Sequence, residues 1–177
     1  MYETETELQD LQTLLDASLG RSTAHLRSII TGERSLTAAQ LARVLTGMCV
    51  LVLSTVTAKG EPRVSAVDGH LLHGRWVFGT ARGAAKARHL SVRPAASVAH
   101  LRGEDLGVFV HGVAEELNPV DGPPAPDWPE VHRYLHGFYG DNSFDWSDVV
   151  FYRVRPSWMA VYASRPDQLL GGSERAS

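Results

Sequence analysis

The sequence predicts a mainly β protein, a small closed antiparallel barrel preceded by a helical extension. Three observations carry that prediction. Hydrophobic residues recur at helical spacing up to about residue 47, and the period then changes to runs rich in Val, Leu and Thr. Short turns join most of these runs, as in antiparallel hairpins. A single helical stretch separates the third run from the fourth, too little helix for the alternating strands and helices of a parallel sheet. The implied division is a helical extension over 1–47, a barrel over 48–163 and a flexible tail over 164–177.

Each element has a local reason. Thr4 with Glu7 forms a capping box, and Leu8, Leu11, Leu15 and Leu19 follow at helical spacing until Gly20. A second helix is expected from about Ser22 to Thr31. A third starts at the Thr37/Gln40 capping box and runs to Gly47. Such stripes need a surface to bury against, so the extension should dock on the rest of the chain. Strands are expected at 48–57, 62–72, 75–80, 95–101 and 106–117, with a short helix at 84–92. Asp127 begins a helix that reaches Tyr139 and is broken by Gly140-Asp-Asn-Ser143. Two last strands, 149–155 and 159–163, are expected on either side of Pro156.

Bulk composition narrows the function. With 177 residues, 44% of them hydrophobic and 21% charged, the chain suits one domain with a real core. A net charge of −3 argues against a nucleic-acid binder, which needs a basic face. The acidic start Met-Tyr-Glu-Thr-Glu and the lack of a long apolar stretch point to a cytoplasmic protein with no membrane partner. The lone Cys49 sits in an apolar run and should be a small buried hydrophobe. His132 and His136 share a helix face, but the flanking acids of a zinc peptidase are missing, so a surface pair is expected and no metal.

Two segments carry candidate chemistry. In Trp76-Val-Phe-Gly-Thr-Ala-Arg-Gly-Ala-Ala-Lys-Ala-Arg-His-Leu90 a strand ends at Thr80 and a helix begins almost at once. A helix start presents unpaired N–H groups and the positive end of the helix dipole. Here Arg82, Lys86 and Arg88 add cations where the dipole disfavours them, a conflict that a bound phosphate removes. A solvated basic helix face fits the same spacing. The second segment, Gly60-Glu-Pro-Arg-Val-Ser-Ala-Val-Asp68, puts Arg63 and Ser65 on a strand that should line the barrel.

The ordered set of Val50-Leu-Val-Leu-Ser-Thr-Val-Thr-Ala-Lys-Gly-Glu-Pro-Arg-Val-Ser-Ala-Val-Asp68, Trp76-Val-Phe-Gly-Thr80 and Ala85-Lys-Ala-Arg-His-Leu90 resembles the pyridoxamine 5′-phosphate oxidase-like superfamily of flavin and deazaflavin oxidoreductases. The resemblance covers about residues 48–163. It implies an antiparallel six-stranded split β-barrel and a homodimer with cofactor sites at the subunit interface. It also implies FMN as cofactor, with the deazaflavin coenzyme F-420 as the alternative, and oxidoreductase activity on a small-molecule substrate. Carried over by position, the phosphate-binding lysine falls on Lys86 and the strand-end Gly79-Thr80 on the family's threonine. The ring-contacting run falls on Arg63, Val64, Ser65, Ala66, Val67 and Asp68, and Arg82 and Arg88 occupy positions where related members also place basic residues.

Two departures set the chain apart from the true oxidase. Gly107 stands where that enzyme has a glutamine, and no segment after Arg155 matches its substrate-binding arginine and histidine. Vitamin B6 oxidation is therefore not expected. A non-catalytic flavin- or haem-binding protein is a further reading, with His100 or His111 as the residue nearest a haem. Catalytic residues cannot be named from the sequence, which fits chemistry performed by a cofactor.

Overall fold

The computed structural model describes residues 2–141 and 144–173. Helix α1 (Glu5–Gly20) opens on its expected capping box, in which Thr4 Oγ1 accepts from the Glu7 amide and Glu7 Oε2 from the Thr4 amide. Helix α2 (Ala24–Ile29) and a 3-10 turn (Gly32–Arg34) lead to α3 (Ala38–Val44), which has the second capping box at Thr37 and Gln40. The extension docks as expected. Leu11 and Leu15 of α1 and Leu41 and Leu45 around α3 are buried in the main core, and Ser18 Oγ accepts a hydrogen bond from the Met159 amide at 3.0 Å.

The strands are β1 (Met48–Val56), β2 (Pro62–Leu72), β3 (Arg75–Ala81), β4 (Ala95–Arg102), β5 (Leu106–Glu116) and β6 (Val149–Ala163). All pairings are antiparallel, and the barrel closes in the order β1-β2-β3-β6-β5-β4. Helix α4 (Ala85–Val92) follows β3, and α5 (Trp128–Tyr139) lies between β5 and β6. Alternation along each strand sends Leu51, Leu53, Val98, Val108, Val154 and Val161 into the barrel core.

Two expectations are corrected. The last strands are one continuous β6, because Pro156 sits at a register shift opposite His111 and Gly112, where a missing ladder donor is tolerated. Gly112 makes this possible: a Cβ there would lie 2.1 Å from the Arg155 carbonyl oxygen. The tail is also not frayed as far as residue 173. Helix α6 (Pro166–Ser173) packs Leu169 and Leu170 on the core, while residues 174–177 of the expected tail lie outside the described residues.

The two outer walls of the barrel differ. Over β2, β3 and β6, α5 lays Val131 and Leu135 against Leu72, Val77 and Phe151, forming a second core outside the barrel. Arg153 of β6 anchors the start of α5 by donating to both carboxylate oxygens of Asp127, at 2.5 and 2.7 Å. Those bonds hold the Asp127 carboxyl below its usual range. Over β1, β4 and β5, Val50, Val52, Leu101 and Phe109 stay exposed among the described residues. Val50 and Leu101 are each 53% exposed.

Candidate cofactor cleft

The barrel is split between β2 and β3. These strands pair only from Gly69↔Phe78 to Leu72↔Arg75. Beyond that point β2 continues along β1, whereas residues 79–81 of β3 pair with β6. A cleft of about 380 Å³ opens at the divergence. Asp68 borders it on one side and Gly79, Thr80 and Ala81 on the other, with Tyr139, Phe144, Val149 and Phe151 as its walls. Gly79 lets Phe151 close over the strand, since a Cβ at Gly79 would lie 2.7 Å from the phenyl ring. Among the described residues, Asp68 and the Tyr139 phenol are the ionisable groups bordering the cleft, so its walls are mainly aromatic with one carboxylate.

The chain turns tightly from Ala81 into α4, with the Ala84 amide donating to the Ala81 carbonyl at 3.0 Å. Ala84 caps the helix without a side-chain acceptor. Ala87 and Leu90 are buried in the main core, which fixes the helix at the end of β3. Lys86 is half-buried and, among the described residues, has no acidic partner. Such an ammonium beside uncapped helical N–H groups is suited to an anion.

The sequence-predicted residues divide into groups. Asp68, Gly79 and Thr80 meet in the cleft. Lys86 stands on the first turn of α4, and Arg88, exposed, donates to the Gly83 carbonyl. Arg82 is turned elsewhere. Its guanidinium donates to the carbonyls of Asn118 at 2.8 Å and Ser147 at 3.2 Å and pairs with Glu116, so it pins the loop before β6. The run Arg63–Asp68 divides by parity. Val67 packs into the barrel core opposite Leu51, so its side chain cannot touch a ligand in the cleft. Arg63 and Ser65 share its side of β2, with Arg63 paired to Glu61 at 2.8 Å, while Val64, Ala66 and Asp68 face outward.

Four cleft residues escape sequence reasoning: Tyr139 of α5, Phe144 of the loop after it, and Val149 and Phe151 of β6 are far from β2 and β3 in the chain. Behind Tyr139 lies His70, 1% exposed, with Nδ1 3.0 Å from the Tyr134 hydroxyl and Nε2 2.9 Å from the Tyr139 hydroxyl. Burial holds this imidazole down to about 4, against a partial opposing effect of Asp68, so it is neutral at physiological pH. Burial pushes both phenols up to about 12. The only signal for His70 in the sequence is its period-two spacing from Asp68 on one strand.

The other histidines are placed as well. His100 has both ring nitrogens engaged, Nδ1 with the Val50 carbonyl and Nε2 with Arg102, so neither is directed at a ligand. His111 stacks on Trp158 and bonds Ser97 Oγ through Nδ1. His132 and His136 lie against Trp146, with His136 paired to Asp141. Cys49 is buried, as its apolar run implies.

No family model matches the chain, and a search of curated proteins finds no significant match. Solved structures do resemble it. HutZ, the haem storage protein from Vibrio cholerae, is 20% identical with a TM-score of 0.58, over 73% of this chain and 95% of that one. A putative pyridoxamine 5′-phosphate oxidase from Listeria innocua is 12% identical with a TM-score of 0.53, over 68% and 93%. An F-420 reductase is 22% identical with a TM-score of 0.50, over 66% and 92%. At such identities the likeness speaks to architecture. The chain shares with these structures a closed six-stranded antiparallel barrel fold.

Proposed function

We propose that the protein is an oxidoreductase that binds FMN at the split between β2 and β3 and acts on a small molecule there. The observation that carries this reading is the join, across Ala81 to Ala84, between an aromatic cleft and a helix start whose lysine has no acidic partner among the described residues. Lys86, the first amides of α4 and the Thr80 hydroxyl would hold the phosphate, and the aromatic walls would take the flavin ring. FMN would supply two-electron transfer, and the chain would bind, orient and shield the reacting groups. The deazaflavin coenzyme F-420 is the second reading. The exposed Arg88 guanidinium near the helix start favours it, because that coenzyme carries a longer acidic tail.

The cleft would be completed by a second copy of the chain. Along β2 the outward residues Val64 and Ala66 lead from Asp68 toward the bare wall of Val50, Val52, Leu101 and Phe109. An apolar groove of about 670 Å³ continues that wall between α2 and β5–β6, lined by Ile29, Phe109, Trp158 and Tyr162 among others. A contiguous apolar face of this kind marks an interface. A two-fold homodimer seated on it would reach the edge of the cleft at Asp68.

The test is titration of the purified protein with FMN and with F-420, followed by the visible absorbance of each cofactor. Lys86→Ala removes a charge-assisted contact of about 1.5–3 kcal/mol and should weaken FMN binding roughly ten- to hundred-fold. Arg88→Ala should matter more for F-420 than for FMN. Unchanged FMN affinity in Lys86→Ala would put the phosphate elsewhere.

A further inference from the structure

Residue 70 is an expensive place for a histidine. An apolar side chain of similar size would fill the space between the sheet and α5 without burying polar atoms. The imidazole is instead bonded on both edges, and each tyrosine it meets opens on a different part of the surface. Tyr139 borders the cleft, whereas Tyr134 borders a separate groove with Tyr2, Glu130, Arg133 and Phe138. Three groups at 2.9 and 3.0 Å thus form one continuous hydrogen-bonded path across the covered wall.

We propose that Tyr134, His70 and Tyr139 form a proton relay that carries protons between the solvent groove at Tyr134 and the molecule reacting in the cleft. The relay rests on the cleft being the reaction site proposed above. In the delivering direction Tyr139 gives its hydroxyl proton to an acceptor in the cleft and takes the Nε2 proton of His70. His70 Nδ1 takes the hydroxyl proton of Tyr134, and a water in the groove restores Tyr134. One proton enters the cleft, one leaves the solvent, and the imidazole ends as the other neutral tautomer. The heavy-atom positions suit either tautomer, so the path also runs in reverse. No member need become a buried ion at rest, since the ring stays unprotonated and both phenols stay protonated at neutral pH. Tyr139 acts on the substrate side, and His70 and Tyr134 act through it.

The test reads solvent exchange of the His70 ring proton by NMR in cofactor-free protein labelled with ¹⁵N-histidine. A relay makes exchange depend on the hydroxyls, so Tyr134→Phe/Tyr139→Phe should slow it roughly ten-fold or more. Tyr134→Phe alone, which leaves the Tyr139 end open, should slow it less but with the same sign. If the three groups only fill polar valences, removing hydroxyls loosens the packing, and exchange stays unchanged or becomes faster. That result would overturn the relay. In FMN-loaded protein the cleft end is filled, and Tyr134→Phe alone should then give the full slowing with FMN affinity unchanged. A wild type that takes up neither cofactor would defeat the proposed function, while the cofactor-free exchange rates would still decide the relay.

Discussion

The covered wall of the barrel and the bare wall are built from the same strand chemistry but finish differently. Over β2, β3 and β6, α5 buries Val131 and Leu135, and the space beneath it holds His70 and one side of the cleft. Over β1, β4 and β5 the outward residues are as apolar, yet among the described residues they stay exposed. An apolar outward face on a strand is therefore not by itself a sign of core. Where the chain supplies a helix, the face becomes a second core and a site. Where it does not, the face stays exposed, and in the proposed dimer it would meet a second copy.

The largest effect that would break this comparison is a charge on the bare wall. Val52→Asp sets a carboxylate beside Ala66 and Ala99, and in the proposed dimer it would be buried unpaired at a cost of about 3–5 kcal/mol per protomer. Light scattering should report a dimer for the wild type at micromolar concentration and a monomer for the variant. The fold of that monomer should survive, because Val52 faces away from the barrel core. A wild-type monomer would remove the partner from the account.

On the covered wall the expected losses are of stability instead. Leu135 is 1% exposed against Leu72, Val77 and Phe151, so Leu135→Ala should cost about 2–5 kcal/mol in chemical denaturation. The matched change Val50→Ala on the bare wall should shift the unfolding of a monomeric background by only about 0.5 kcal/mol or less. Equal losses at the two sites would erase the distinction between the walls.

A smaller effect is tied to pH. The unfolded chain takes up a proton at His70 near 6.5, whereas the folded chain resists it down to about 4. Below 6.5 the unfolded state therefore binds more protons, and stability falls as the pH drops. The loss should approach about 3 kcal/mol by pH 4. Above 6.5 the ring contributes no pH dependence. Urea unfolding at pH 7.5 and pH 5 should show the decline, and His70→Gln should flatten it. Asp127 adds a loss of the same sign at lower pH, since its carboxyl is held below the usual range by Arg153.

Much of the barrel was legible in the sequence because its signals are local. Capping boxes at Thr4 and Thr37, the period-two runs of β1 and β2 and the strand-to-helix turn after Thr80 each depend on a few neighbouring residues. The continuity of β6 was not legible, because it depends on Gly112 of a different strand accepting the bulge at Pro156. The site divided the same way. Asp68 and Thr80 lie on segments whose register could be read, whereas Tyr139, Phe144 and Phe151 join them only through the docking of α5. The bonds of Arg82 are hidden for a related reason: its partners Asn118 and Ser147 are brought to it by the fold, and nothing near it in the chain announces them. The six-residue run of β2 looked like one contact surface, but alternation gives a ligand only half of it.

Whether the bare wall completes the cleft can be measured directly. The measurement is FMN affinity of the wild type, expected as a dimer, beside the Val52→Asp variant, expected as a monomer, whose altered residue does not border the cleft. The account predicts binding of one FMN per protomer in the wild type and a loss of about ten-fold or more in the folded monomer. Equal affinity in both would show that each barrel holds its ligand alone, and would contradict a cleft shared between two copies.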